Sequence, residues 1–85
     1  MTFSFEVLVS LKPGLADPAG KAVASALPPL GWTNVREVHV GKHIELTLEA
    51  ADEPTARAQV EAMAERLLSN PVIEDFRILE TAEEP

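Results

Sequence analysis

Cysteine is absent from this 85-residue chain, so neither a disulfide nor a thiolate metal site can staple the fold. Hydrophobic burial has to do that work, helped by a second copy of the chain. The absence also fits a reducing compartment. The opening residues Met1 to Glu6 lack the basic and apolar regions of a signal peptide. No apolar run approaches the roughly 20 residues needed to span a bilayer, and a soluble cytoplasmic protein is the expectation. Basic residues are scarce, with seven Lys and Arg against 14 Asp and Glu, for a net charge of −7. Nucleic acid and anionic membrane are both repelled at long range by such a chain, so neither is expected as a partner.

What is present reads as one small domain over residues 1–80, followed by an acidic tail at 81–85 expected to fray. Phe3, Phe5, Val7, Val9 and Leu11 alternate with mostly polar neighbours, the period of a half-buried strand. Asp17-Pro18 is a helix start: the carboxylate accepts from the free N–H groups of the first turn, and proline suits the first helical position. Val23, Ala26, Leu27 and Leu30 follow at helical spacing and stop at Gly31. Val38 and Val40, then Ile44, Leu46 and Leu48, alternate around Gly41-Lys42. This predicts a hairpin, with Gly41 at positive φ. Asp52-Glu53-Pro54 repeats the helix start, and Ala56, Val60, Met63, Leu67 and Leu68 form the second helical stripe. Asn70-Pro71 ends it, and Val72 to Leu79 reads as a last strand.

Strand, helix, strand, strand, helix, strand is the order of the ferredoxin-like split βαβ arrangement. The expected fold is α+β, βαββαβ, with a four-stranded antiparallel sheet and both helices on one face. The other face would carry Leu8, Ile73 and Leu79 among Glu6, Ser10, Asp75 and Arg77. That mixed surface suits association, most simply as a symmetric dimer.

No residue set makes a convincing catalytic constellation. His39 and His43 flank the predicted turn, and Glu37 and Glu45 share their parity. A weak surface metal site is conceivable there, but polar residues on a solvated hairpin face are the far commoner reading, and no metal ligand is assigned. Glu74 and Asp75 are adjacent, so a strand points them to opposite faces, which suits a structural or interface role better than acid–base work. Lys12-Pro13-Gly14 and Gly41-Lys42 lack the glycine spacing of a phosphate loop. An acylphosphatase-type enzyme would want an arginine-bearing loop after the first strand, and residues 12–16 have none. An RNA-recognition module needs aromatics on the open face, whereas Phe3 and Phe5 share the parity of the core valines. Trp32 is assigned to the core rather than to an exposed anchor.

With these residues in hand, the chain resembles the small-subunit (PurS) family of bacterial phosphoribosylformylglycinamidine synthase over nearly its whole length. The resemblance rests on four blocks in order: Val9 to Gly14, Asp17 to Val23, Val40 to Leu46, and Leu67 to Phe76. The family often has cysteine where Ala64 stands and tyrosine where Phe76 stands. The resemblance implies a non-catalytic role with no cofactor bound by this chain. The partners would be a glutaminase subunit that releases ammonia and a large synthetase subunit that uses ATP and Mg to place it on formylglycinamide ribonucleotide. The small subunit would form a homodimer, bridge the two and help protect the ammonia route. The interface residues implied are Lys12, Pro13 and Gly14, then Gly41, Lys42 and His43, and finally Asn70, Val72, Ile73, Glu74, Asp75 and Phe76. The rival reading is a regulatory module of the ACT kind, which shares the fold and binds an amino acid at a dimer interface.

Overall fold

The computed structural model describes residues 1–81; the remainder of the predicted acidic tail lies outside the described residues. Strand β1 spans Thr2–Leu11, helix α1 Pro18–Ala26, strand β2 Lys42–Glu49, helix α2 Glu53–Met63 and strand β3 Glu74–Glu80. A short 3-10 turn covers Pro28–Leu30, and a π turn at Ala64–Leu68 prolongs α2. The sheet has the order β2-β1-β3, and both pairings are antiparallel.

The period-two pattern of β1 places Phe3, Phe5, Val7 and Val9 on one face, all 3% exposed or less. Against them lie Ala56, Val60 and Ala64, with Ile44, Leu46, Leu48, Leu68, Phe76 and Ile78 closing the sides. The packed face of α2 is therefore the i, i+4 row 56, 60, 64 and 68, not the row that included Met63 and Leu67. Those two are exposed, Leu67 at 81%. A small side chain at Ala64 lets the helix approach the sheet closely, and larger apolar neighbours at 63 and 67 flank that line of contact. Arg57 covers the edge of this core, its guanidinium 5.7 Å from the Phe5 ring centre while Nε donates to Glu53 Oε1 at 3.1 Å.

Two expectations are corrected. The sheet has three strands among the described residues, not four, and α1 does not lie across it beside α2. Residues 33–41, which include the Val38 and Val40 expected to form the first arm of a hairpin, carry neither strand nor helix and lead directly into β2. Positive φ occurs at Gly14 and Gly31, not at Gly41, so no tight turn reverses the chain there. Gly41 is needed for another reason: a Cβ on it would lie 2.5 Å from the Val9 carbonyl oxygen. The chain thus passes flat against the end of β1 instead of folding back.

Helix α1 packs chiefly on the 28–30 turn that follows it. Its one buried residue is Gly20, over which the Val38 carbonyl sits where a Cβ would be. Val23, Leu30 and Trp32 remain exposed at 43%, 69% and 56%, so Trp32 is not part of the core. The result is an elongated molecule of 52 × 29 × 14 Å with a radius of gyration of 16.6 Å. A compact chain of this length would have about 12 Å.

Candidate interaction surface

Because β1 runs antiparallel to both neighbours, its C-terminal end meets the N-terminal ends of β2 and β3. That topology gathers the three predicted segments at one end of the sheet. Val9 faces Lys42 on one side and Phe76 on the other, Leu8 faces His43, Ser10 faces Asp75, and Leu11 faces Glu74. Lys12 N–H extends the ladder by donating to the Ile73 carbonyl at 2.8 Å. Pro13 and Gly14 form the exposed turn beyond it, and Gly41 lies across from them at the mouth of β2.

Several of these side chains hold the end of the sheet together. Glu74 Oε1 accepts from Asn70 N–H at 2.8 Å, while Asn70 O accepts from Glu74 N–H at 2.7 Å, closing a reciprocal loop. Asn70 Oδ1 also accepts from Val72 N–H at 3.1 Å, the side-chain turn that makes asparagine favourable before Pro71. Lys42 reaches the same loop, with Nζ 3.7 Å from Glu74 Oε1 and 3.4 Å from the Leu68 carbonyl at the end of the π turn. A cation beside unsatisfied helix-terminal carbonyls is favourable. Ser69 completes that helix end, both its N–H and its hydroxyl donating to the Ala64 carbonyl at 2.9 and 2.8 Å. Lys12 Nζ lies 3.9 Å from Asp75 Oδ1 on the surface. Phe76 packs against the core, so it supports the surface from beneath. The outward-facing apolar groups here are Val72, 80% exposed, and Ile73, 40% exposed.

The open face of the sheet continues from this end. The registers place Glu6 beside Glu45 and Leu79, and Leu8 beside His43 and Arg77. Leu8 is half-buried and Leu79 is 39% exposed. His43 Nε2 lies 3.2 Å from Glu6 Oε1 and 3.8 Å from Glu45 Oε1. The expected partners of the two histidines are thus divided: His43 meets Glu45 across to Glu6, whereas His39 lies 3.6 Å from Glu37 and 3.8 Å from Asp17. Glu6 was not recognisable as a neighbour of His43 from local spacing, because only the β1–β2 register joins them.

Asp17 ties α1 to the segment before β2. Its Oδ1 accepts from Gly20 N–H at 2.8 Å as the helix cap, and its Oδ2 accepts from Val40 N–H at 3.0 Å. Those backbone N–H groups, Gly20 first, hold its carboxyl below the ordinary value of 3.8, with His39 adding to the effect. Asp52 caps α2 by accepting from Thr55 N–H at 2.9 Å. Its carboxyl is likewise held low by Thr55, through the hydroxyl and then the backbone N–H.

Comparison with known proteins places this arrangement. The profile of the PurS family, described as phosphoribosylformylglycinamidine (FGAM) synthase, matches residues 4–81. The PurS subunit of that synthase from Synechocystis sp. is 48% identical over 75 residues, covering 88% of this chain and 75% of its own. The crystal structure of Methanocaldococcus jannaschii PurS, one of the subunits of formylglycinamide ribonucleotide amidotransferase in the purine biosynthetic pathway, superimposes with a TM-score of 0.84 at 35% identity. It covers 96% of this chain and 99% of its own. A chain of the PurLQS structure from Thermotoga maritima gives a TM-score of 0.88 at 30% identity, covering 95% of this chain and 99% of its own. From the sequence match and the shared fold, the chain belongs to the PurS family of phosphoribosylformylglycinamidine synthase subunits.

Proposed function

We propose that this chain is the non-catalytic small subunit of a phosphoribosylformylglycinamidine synthase complex in purine biosynthesis. It bridges a PurQ glutaminase and a PurL synthetase and supports ammonia transfer in converting formylglycinamide ribonucleotide to its amidine. The observation that carries this reading is the close likeness, over almost the whole chain, to a subunit of the PurLQS structure. ATP and Mg belong to the synthetase partner, and this chain contributes no catalytic cofactor. The ACT-type reading is not favoured, since the matched profile and the curated relatives are of PurS.

The elongated shape supports a homodimer as the working unit. Strands β2 and β3 are both edges of the sheet, and an unpaired edge offers a row of backbone donors and acceptors to another chain. In this reading the 33–41 segment of one copy lies along a free edge of the other and supplies the fourth strand. Helix α1 then covers apolar surface of the partner copy. The end of the sheet formed by Lys12, Pro13, Gly14, Gly41, Lys42 and His43, with Val72 and Ile73, faces the other subunits. Asn70, Glu74, Asp75 and Phe76 give that surface its shape. Ammonia must pass between active sites without meeting bulk water, and a rigid sheet is a suitable spacer. Among the described residues, no helix is long and apolar enough to cross a bilayer. The cytoplasm is the compartment that suits this role.

Reconstitution with the cognate glutaminase and synthetase tests the reading. Glutamine-dependent synthesis should require this chain, while ammonia-dependent synthesis by the synthetase persists without it. Equal glutamine-dependent rates with and without the chain would overturn the proposal.

A further inference from the structure

The open face of the sheet holds three donor groups, of which only His43 also belongs to the surface assigned to bridging. Glu6 on β1 and Glu45 on β2 are directly opposed in register, and His43 lies two residues along β2 on the same face. Carboxylates directly opposite each other on neighbouring strands repel and destabilise the pair unless a cation lies between them. Among the described residues, the only nitrogen-bearing side chain within ion-pair distance of either carboxylate is His43. One ligand atom from each of the three lies within 4.8 Å of the other two. Around a tetrahedral ion with bonds of about 2.0–2.2 Å, donor atoms sit about 3.4 Å apart. Small rotations of the two glutamate side chains close that difference, while the strand register keeps their Cβ atoms in place.

We infer that Glu6, His43 and Glu45 form a surface site for a divalent transition-metal cation of the zinc type. The chemistry of the donors selects the ion. A neutral imidazole nitrogen with two carboxylate oxygens suits zinc and similar borderline cations, whereas magnesium and calcium favour oxygen alone. The two carboxylates offset the charge of a divalent ion, and the imidazole adds a donor without adding charge. Three protein ligands leave a fourth position directed outward from the sheet, for water or for a donor on whatever covers this face. The role is structural: the ion clamps β1 to β2 at the point where two like charges otherwise oppose that pairing. It differs from the Mg used by the synthetase partner and from the sequence-based expectation that no metal is held.

Zinc titration by calorimetry at neutral pH, on the intact chain and four variants, tests this. The expected result is one saturable zinc per chain, with affinity lowered about tenfold or more in His43→Ala and in Glu6→Gln. Glu45→Gln should weaken binding as well, and its exposed side chain leaves the fold intact, which a melting curve confirms. Magnesium should bind far more weakly than zinc. His39→Ala, in the other histidine cluster, should leave zinc affinity unchanged. No saturable binding by the intact chain would overturn the assignment. So would undiminished affinity in His43→Ala or Glu6→Gln, or loss of binding on His39→Ala alone.

Discussion

Helices α1 and α2 both start from an aspartate that accepts a backbone N–H three residues on, Asp17 from Gly20 and Asp52 from Thr55, with proline in the first turn. From there they part. Helix α2 buries Ala56 and Val60 and continues into buried Ala64, whereas α1 buries only Gly20 and leaves Val23 exposed. Local signals for starting a helix are therefore equivalent in the two, and the destination of the apolar face is not. One helix finds its sheet within the same chain. The other projects along a molecule 52 Å long, consistent with cover supplied by a second copy.

The sharpest way to break this comparison is to place the same charge on each helix. Val60→Asp sets a carboxylate where the native side chain is fully buried, and an unpaired buried charge costs about 3–5 kcal/mol. The isolated domain should lose most of its cooperative melting transition. Val23→Asp should leave the secondary structure of a single chain intact by circular dichroism but shift light scattering from dimer to monomer. If both variants merely lower the melting midpoint and leave the dimer intact, the helices do equivalent work and the comparison fails.

A smaller effect separates the two caps. Asp17 uses both oxygens as acceptors, one for Gly20 and one for Val40. Asparagine offers only one acceptor, so Asp17→Asn sets an amide donor against a backbone donor. Asp52→Asn retains its single backbone contact with Thr55. Thermal melts at neutral pH should show the larger fall for Asp17→Asn, by a few degrees. The pH dependence has a definite sign. Both carboxyls are held below 3.8 in the folded chain, so their contribution is complete above that value and fades as pH falls through the folded-state value. Each asparagine variant should show a shallower loss of stability on acidification than the parent chain.

The smallest effect is expected at Lys42. Its ammonium bridges Glu74 and the end of the π turn while remaining 56% exposed, and exposed pairs of this kind contribute about 0–1 kcal/mol. Lys42→Glu should shift the melting midpoint only slightly, while weakening assembly with the synthetase and glutaminase in a titration. Unchanged affinity would remove Lys42 from the contact surface and leave it a purely internal brace.

Much of the architecture was readable before any coordinates. The parity of Phe3, Phe5, Val7 and Val9 identifies the buried face of β1, since side chains alternate strictly along a strand. The two aspartate-before-proline starts, Asp17-Pro18 and Asp52-Glu53-Pro54, locate both helices. The predicted strand at 44–48 falls within β2, and the one at 72–79 overlaps β3 from Glu74 but starts two residues early, since Val72 and Ile73 lie in the turn before it. The misreadings have particular causes. Gly41 looks like a turn glycine, but the constraint on it is the Val9 carbonyl, contributed by a strand more than 30 residues earlier. Met63 and Leu67 are the larger side chains at helical spacing, yet close approach to the sheet is made through Ala64. Trp32 is apolar enough for a core that the single chain does not extend to it.

The proposed interaction surface divides in the same way. The blocks around Lys12, Lys42 and Glu74 were recognisable as motifs, and antiparallel pairing brings all three to one end of the sheet. Which of them are braces and which face outward depends on contacts such as Asn70 with Glu74. The triad of Glu6, His43 and Glu45 exists only through the β1–β2 register, because a one-residue slip would turn Glu6 to the opposite face. Alternation, capping and charge are local properties, and the amino-acid sequence by itself determined the strands, the helix starts and the acidic character. Sheet order, the unfolded-back 33–41 segment, the separate course of α1 and the cross-strand triad were decided only by tertiary structure. Each depends on which distant backbone comes within a few ångströms, and local periodicity does not encode that distance.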